Sequence, residues 1–241
     1  EMMKLRDFEP GSLKVMLMGP SGTGKTCLAA TLGKRALLLD LNNGLASAKT
    51  FRDRWSKQRE EEEVKQCWGE GPDVMWRKTA SYVTSFAAKP TAEALIIDGL
   101  SDLAEASLGS LLKVGGKWTD TSPKPTTMAE WGGAIAQIER LFWKLKSLRA
   151  LVVVIAHTML VEQENGSMKQ VLACYGKSLP GKIMAGFDEV WFTKVEGYGE
   201  KRVWTLQAAS SSGVDCKTRR QLPEGSKMEL GMDGLLGLVG W

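Results

Sequence analysis

The sequence predicts an α/β domain built on a mainly parallel sheet flanked by helices, with antiparallel hairpins toward the C-terminus. Three observations carry that expectation: a Gly-rich turn between an apolar run and a helical stretch, apolar runs alternating with helical spacing over the first two-thirds, and hairpin signals in the last third. In order, residues 13–18 form an apolar strand pattern, 19–26 the Gly-rich turn, and 27–34 a helix. A second strand, 36–39, ends in Asp40, and the charge-balanced stretch 52–65 reads as a solvated helix. A third strand, 94–97, ends in Asp98 and leads into helical spacing over 100–113, then a Gly/Pro/Thr-rich loop at 115–127. Apolar residues Ile135, Ile138, Leu141, Phe142 and Leu145 make 129–148 an amphipathic helix. The almost wholly apolar run 151–156 fits a central parallel strand covered on both faces, with His157 at its carboxyl end.

Past His157 the pattern changes. Segments 158–164 and 168–174 flank Asn165-Gly166, a strong hairpin signal, and 190–195 with 202–206 flank a second Gly-containing turn. No internal repeat or low-complexity tract interrupts the chain. The expectation is one domain over 1–241: an N-terminal segment 1–12, an α/β core 13–157 and a hairpin-rich part 158–241.

Composition narrows the function classes. The 241 residues carry 32 Lys+Arg against 28 Asp+Glu, a net charge of +4, too small for a protein that coats nucleic acid by charge alone. Apolar residues at 43% and charged residues at 25% exclude a disordered or fibrous chain. The longest apolar stretch, 148–156, is broken by Arg149 and is far shorter than the roughly 20 residues of a membrane helix. Charges over 1–10 do not fit a signal peptide, and Cys27, Cys67, Cys174 and Cys216 show no C-x-x-C pairing, so free thiols in the cytoplasm are expected. Nine tryptophans are the anomaly, since an indole is placed where it is buried or stacked. Trp131, Trp143, Trp191 and Trp204 fall in predicted helices or strands and are expected to pack.

Gly19-Pro20-Ser21-Gly22-Thr23-Gly24-Lys25-Thr26 matches G-x-x-x-x-G-K-[ST] in full, between a strand and a helix as the motif requires. Its glycines let backbone N–H groups curl around phosphate oxygens, Lys25 reaches the β and γ phosphates, and the Thr26 hydroxyl suits magnesium. Asp98, at the end of an apolar strand, is the expected carboxylate for the same ion. His157, the only histidine, falls on the sheet edge where the phosphates lie and is read as a γ-phosphate sensor.

Together with Ala36 to Leu45, Leu95 to Asp98, Val152 to His157, Leu179 to Lys182 and Phe187 to Val190, these residues resemble the RecA-like branch of P-loop ATPases. The closest likeness is to short phage-type recombinases associated with single-strand annealing, and it covers nearly the whole chain. The resemblance implies ATP, Mg2+, single-stranded DNA and self-association as a ring or filament. One departure matters: where the family usually has a glutamate acting as base toward water, two residues after the Asp ending the second strand, this chain has Asn42. An amide takes no proton, and losing a general base typically costs about 10² to 10⁴ in rate. Slow hydrolysis is therefore expected, with Asn42 orienting water and Asp40 as a substitute base.

Family ATP sites lie between subunits, with a basic residue reaching in from the neighbour; Lys182, Lys217, Arg219 and Arg220 are the candidates, against a reading as solvated surface charge. The resemblance places DNA-facing loops after the Asp98 and His157 strands. Lys113, Lys117 and Lys124 around Trp118 are candidates in the first, and the hairpin carrying Lys169 and Tyr175 forms the second. The apolar tail 235–241 either closes the core or meets another subunit. Three functions remain open: an ATP-dependent recombination protein, an ATP-gated binding module that barely hydrolyses, and a helicase-type motor or loader.

Overall fold

The computed structural model describes residues 13–45, 63–114, 127–176, 178–219, 227–229 and 235. Nine strands are found among them: β1 (Lys14–Gly19), β2 (Ala36–Asp40), β3 (Glu63–Gln66), β4 (Ala94–Asp98), β5 (Leu151–Glu162), β6 (Met168–Leu172), β7 (Glu189–Glu196), β8 (Val203–Gln207) and β9 (Lys227–Glu229). They form one sheet in the order β3-β2-β4-β5-β1-β7-β8-β9, with β6 paired to β5 alone. Strands β3 to β7 along that order are parallel; β8 and β9 extend the sheet antiparallel. The predicted α/β class, with its antiparallel extension, is the observed one.

The central strands are buried along their whole length, which is why they read as unbroken apolar runs. Alternation still divides them between two cores. Met16, Met18, Leu37, Leu39, Leu95, Ile97, Val152 and Val154 face one layer of helices, α2 (Pro72–Ala88), α3 (Leu100–Val114) and α4 (Met128–Ser147), through Phe86, Leu103, Ile138 and Leu145. Val15, Leu17, Leu38, Ile96, Val153 and Ile155 face the other side, against Leu28 and Leu32 and the fully buried Trp191. Leu235 belongs to this second core, and its N–H donates to Thr31 Oγ1 at 2.7 Å. That part of the apolar tail packs inward; 236–241 lie outside the described residues.

Several elements depart from the sequence expectation. Residues 63–65, expected at the end of a helix, belong to strand β3, where Leu37 to Asp40 supply a parallel partner that a single-sequence charge count does not reveal. Residues 52–62 of that segment lie outside the described residues, and helix α2, which begins at Pro72 after Gly71, was not anticipated. The helix expected over 27–34 is α1 (Lys25–Ala29) followed by a 3-10 stretch, Ala30–Arg35, broken at Gly33 with φ 58. Lys182 lies in the short helix α5 (Leu179–Ala185). Strand β5 does not stop at Ala156: it runs on for six residues and pairs with β6 as the hairpin around Asn165-Gly166. The second hairpin, β7 with β8, is as expected.

The helix over 128–147 is held at its start by a reciprocal capping box between Thr127 and Glu130. On this helix Trp143 contradicts the packing expectation, being 70% exposed, whereas Trp191 is 0% exposed and donates its Nε1–H to Glu189 at 2.8 Å. Truncating the two should separate them. Trp191→Ala should cost about 3–5 kcal/mol and Trp143→Ala no more than about 0.5 kcal/mol in urea denaturation; equal losses would contradict this placement of the two rings.

Candidate functional site

The parallel register sets the site. Gly19 pairs with His157 and Asp40 with Asp98, so the carboxyl ends of β1, β5, β2 and β4 open onto one edge. There a cleft of about 450 Å³ is lined by Ser21 to Cys27, Asn42, Asn43, Gly44, Asp98, Ser101, Asp102, Ile155, His157 and Trp204.

The Gly-rich turn bends through Gly22 and Gly24, both at positive φ (77 and 83). Thr23 anchors it from below: its hydroxyl donates to Pro20 O at 2.8 Å and meets Thr193 Oγ1 of β7 at 2.6 Å. Lys25 is buried, with Nζ donating to Gly19 O at 2.9 Å and Pro20 O at 2.6 Å. Burial lowers its pKa to about 8, opposed by the nearby Asp98. The ammonium is thus held by its own loop and lines the cleft.

Thr26 Oγ1 donates to Asp98 Oδ2 at 2.7 Å, while Asp98 Oδ1 and Asn42 Oδ1 are buried and accept no hydrogen bond. Thr26 Oγ1, Asp98 Oδ2 and Asn42 Oδ1 all lie within 3.4 Å of the point where a Cβ on Gly44 would stand. A magnesium ion asks for hard oxygen donors and usually completes its shell from phosphates and water, so this oxygen set fits it. Among the described residues no group of three His, Cys, Asp or Glu side chains forms an all-protein cage.

Asp40 has a different task from the one expected. Its carboxylate is buried, accepts the N–H groups of Asn42 at 3.3 Å and Gly44 at 3.1 Å, and takes the Trp68 indole N–H at 3.3 Å. It holds the loop that carries Asn42 and does not line the cleft. Asp102, which the sequence reading passed over, does line it; burial raises its pKa, while His157 and a hydrogen bond from Asn42 lower it. Its position in the first turn after Asp98 was the available signal. His157 sits within β5 rather than at its end, and its pKa is lowered first by burial and then by Lys25, which favours a neutral imidazole. Trp204, also expected only to pack, covers the turn: a Cβ on Gly24 would stand 3.1 Å from its Cδ1.

Five of the expected finger and DNA residues are described, each with a partner outside the cleft. Lys182 pairs with Glu139 at 2.7 Å, Lys217 donates to Ala185 O and Phe187 O at 3.1 and 2.6 Å, and Arg219 pairs with Asp188 at 2.9 Å. Lys113 pairs with Asp73 at 2.8 Å and Lys169 with Asp215 at 2.8 Å. None of these five lines the cleft; Lys117, Trp118, Lys124 and Arg220 lie outside the described residues. The four cysteines are free, Cys27 and Cys67 buried, and burial pushes the Cys174 thiol up to about 11. No helix among the described residues is long and apolar enough to cross a membrane.

A family model described as an AAA domain matches residues 12–220. Among solved structures, a KaiC-like protein from the hyperthermophilic archaeon Pyrococcus horikoshii is similar, with a TM-score of 0.50 and 12% identity, over 93% of this chain and 88% of that one. At that identity the likeness bears on the fold. No curated protein matches the sequence.

Burial raises the Asp98 pKa from 3.8 to about 6, with Asp40 adding to the rise and Thr26 and Lys25 opposing it. The folded protein then binds the proton more tightly than the unfolded chain. The stability this contributes is present below about pH 3.8 and is lost as pH rises through about 6. In metal-free protein, the urea-denaturation stability of wild type minus that of Asp98→Asn should fall across this window; a flat difference would contradict the assignment.

Proposed function

The chain belongs to the AAA domain family, with the RecA-like P-loop ATPase fold, and from that membership we propose that it binds ATP with Mg2+, hydrolyses it slowly and assembles on single-stranded DNA as a recombination or annealing protein. The observation that carries the reading is Lys25, held on Gly19 O and Pro20 O beside the Thr26–Asp98 pair at the mouth of the cleft. Arriving phosphates exchange two neutral carbonyl partners of Lys25 for anionic ones, a stronger class of hydrogen bond. The turn's backbone dipoles and the start of α1 add positive potential. Thr26 and Asp98, with Asn42 beside them, would hold the magnesium, which neutralises phosphate charge when bound.

Slow turnover follows from the far end of the cleft. Asn42 stands where relatives carry a base, and Asp40 is committed to the loop. Asp98 and Asp102 are the carboxylates among the lining residues. With Asp98 given to the metal, Asp102 is left as the proton acceptor among the described lining residues: its raised pKa suits a general base, and Asn42 lines the cleft with it. The unpartnered Asn42 Oδ1 can accept from a water on the same side chain. His157, neutral, offers one ring N–H toward phosphate charge.

Lys25 is the single Lys or Arg among the described residues that line the cleft. A second cation for the transferring phosphoryl group would come from a neighbouring copy, which supports self-association, and Lys182 and Arg219 keep side chains 59% and 61% exposed for that role. The neutral amide of Asn42 in place of a carboxylate also favours prolonged occupancy, as expected of an ATP-gated assembly.

Asn42→Glu should raise steady-state ATP turnover by about tenfold or more, and Asp102→Asn should lower the residual rate by about 10²-fold, both with nucleotide affinity nearly unchanged. Unchanged turnover in both variants would remove this account of the slow step. Single-stranded DNA should raise wild-type turnover and increase the particle mass in the presence of ATP; a monomer that ignores DNA would overturn the DNA half of the reading.

A further inference from the structure

The last turns of α4 carry a surface that neither the cleft nor the core uses. Trp143 is 70% exposed there, and a groove of about 300 Å³ beside it is lined by Phe142, Trp143, Lys146 and Ile183, with Glu139 and Lys182 closing one rim as an ion pair. Arg140, Lys144, Lys146 and Arg149 are exposed along the end of α4 and just beyond it, and none of them forms an ion pair among the described residues; Arg140 and Lys146 share the helix face of Trp143, whereas Lys144 is turned toward α2. Lys146 Nζ sits 5.2 Å from the Trp143 ring centroid, and Lys144 Nζ donates only to Thr84 Oγ1 at 3.0 Å.

Cations in a final helical turn offset the helix dipole, which accounts for Lys144 and Lys146 taken alone. It does not account for Arg140 one turn earlier or Arg149 beyond the helix. Nor does it explain a large ring left in water beside a groove, where the same helix buries Phe142 and Leu145. Four exposed cations on one helix end, without an ion-pair partner among the described residues and two of them on the face of an exposed ring, are complementary to a flexible polyanion that carries flat apolar groups. That description fits a single nucleic-acid strand, whose phosphates meet lysines and arginines and whose bases stack on an indole.

We propose that the exposed Trp143 face of α4, with Lys146 on the ring, Arg140 one turn earlier and Lys144 and Arg149 adding positive charge at the same helix end, is a binding site for single-stranded nucleic acid, one base stacking on Trp143. This rests on the single-stranded DNA reading above and places the contact on a helix face distant in sequence from the loops expected to carry it. Lys146 shares the ring with the base through its cation–π contact and reaches an adjacent phosphate.

The test is fluorescence anisotropy of the full chain with a labelled oligothymidylate of about 20 nucleotides, over about 50 to 200 mM salt. Trp143→Ala should weaken binding about tenfold, Trp143→Phe should retain most of the affinity, and Tyr198→Ala, removing a still more exposed ring on the β7–β8 turn, should change nothing. Lys144→Gln with Lys146→Gln should lower the slope of log affinity against log salt by about 1.4, two contacts at about 0.7 each. Wild-type binding that survives Trp143→Ala undiminished overturns this site and leaves the DNA reading standing. Wild type that fails to bind the oligonucleotide at low salt overturns both. An abasic strand binding as tightly as the base-bearing one, or polyglutamate competing as well as the oligonucleotide at equal charge, overturns base stacking and points to an acidic protein surface instead.

Discussion

Everything at the candidate site depends on parallel pairing at the centre of the sheet. Strand β1 lies between β5 and β7, and β4 lies between β2 and β5, so the carboxyl ends of β1, β2 and β4 open onto the same edge as His157 within β5. A slip of one residue in β4 would turn Asp98 to the opposite face and send Ile97 toward the cleft. The buried apolar sets on both faces forbid that slip, since each of the two cores accepts only its own alternate residues. The oxygen atoms around Gly44 are therefore placed by hydrophobic packing many residues away, and the short Thr26–Asp98 hydrogen bond is a consequence of that placement.

The parallel strands were legible because burial on both faces leaves a mark in sequence: Leu95 to Ile97 and Val152 to Ile155 contain nothing polar. The Gly-rich turn was legible for a different reason, since its residue types are dictated by backbone conformation and phosphate chemistry. Glu63 to Gln66 was not legible. An edge strand four residues long, three of them polar, takes its conformation from its neighbour rather than from its own side chains. The hairpin strand after His157 was legible from Asn165-Gly166, but its unbroken continuity with the central strand was not, because burial gives way after Ala156 to half-buried and exposed positions.

At the site, the residues read correctly as neighbours were those with a motif or a strand end to mark them. Asp102, Trp204, Thr193 and Trp68 were missed because each reaches its place through tertiary structure: Asp102 by the turn after β4, Thr193 and Trp204 by the β7–β8 hairpin, Trp68 by following β3. The tryptophans illustrate the limit of periodicity. Trp191 and Trp143 both sit in regular elements, and only the packing of neighbouring elements decides that one ring has no exposure and the other has most of its area in water.

Thr23 meeting Thr193, and Gly24 lying under Trp204, join the first turn of the site to a hairpin some 170 or more residues later in the chain. During synthesis the Gly-rich turn emerges long before the strands that brace it. A nucleotide-competent cleft thus exists only after β7 and β8 have added to the sheet, and nucleotide capture becomes a signal that the late strands have arrived. By mass action, a ligand that recognises only this finished arrangement stabilises the whole sheet, including the antiparallel edge it barely touches.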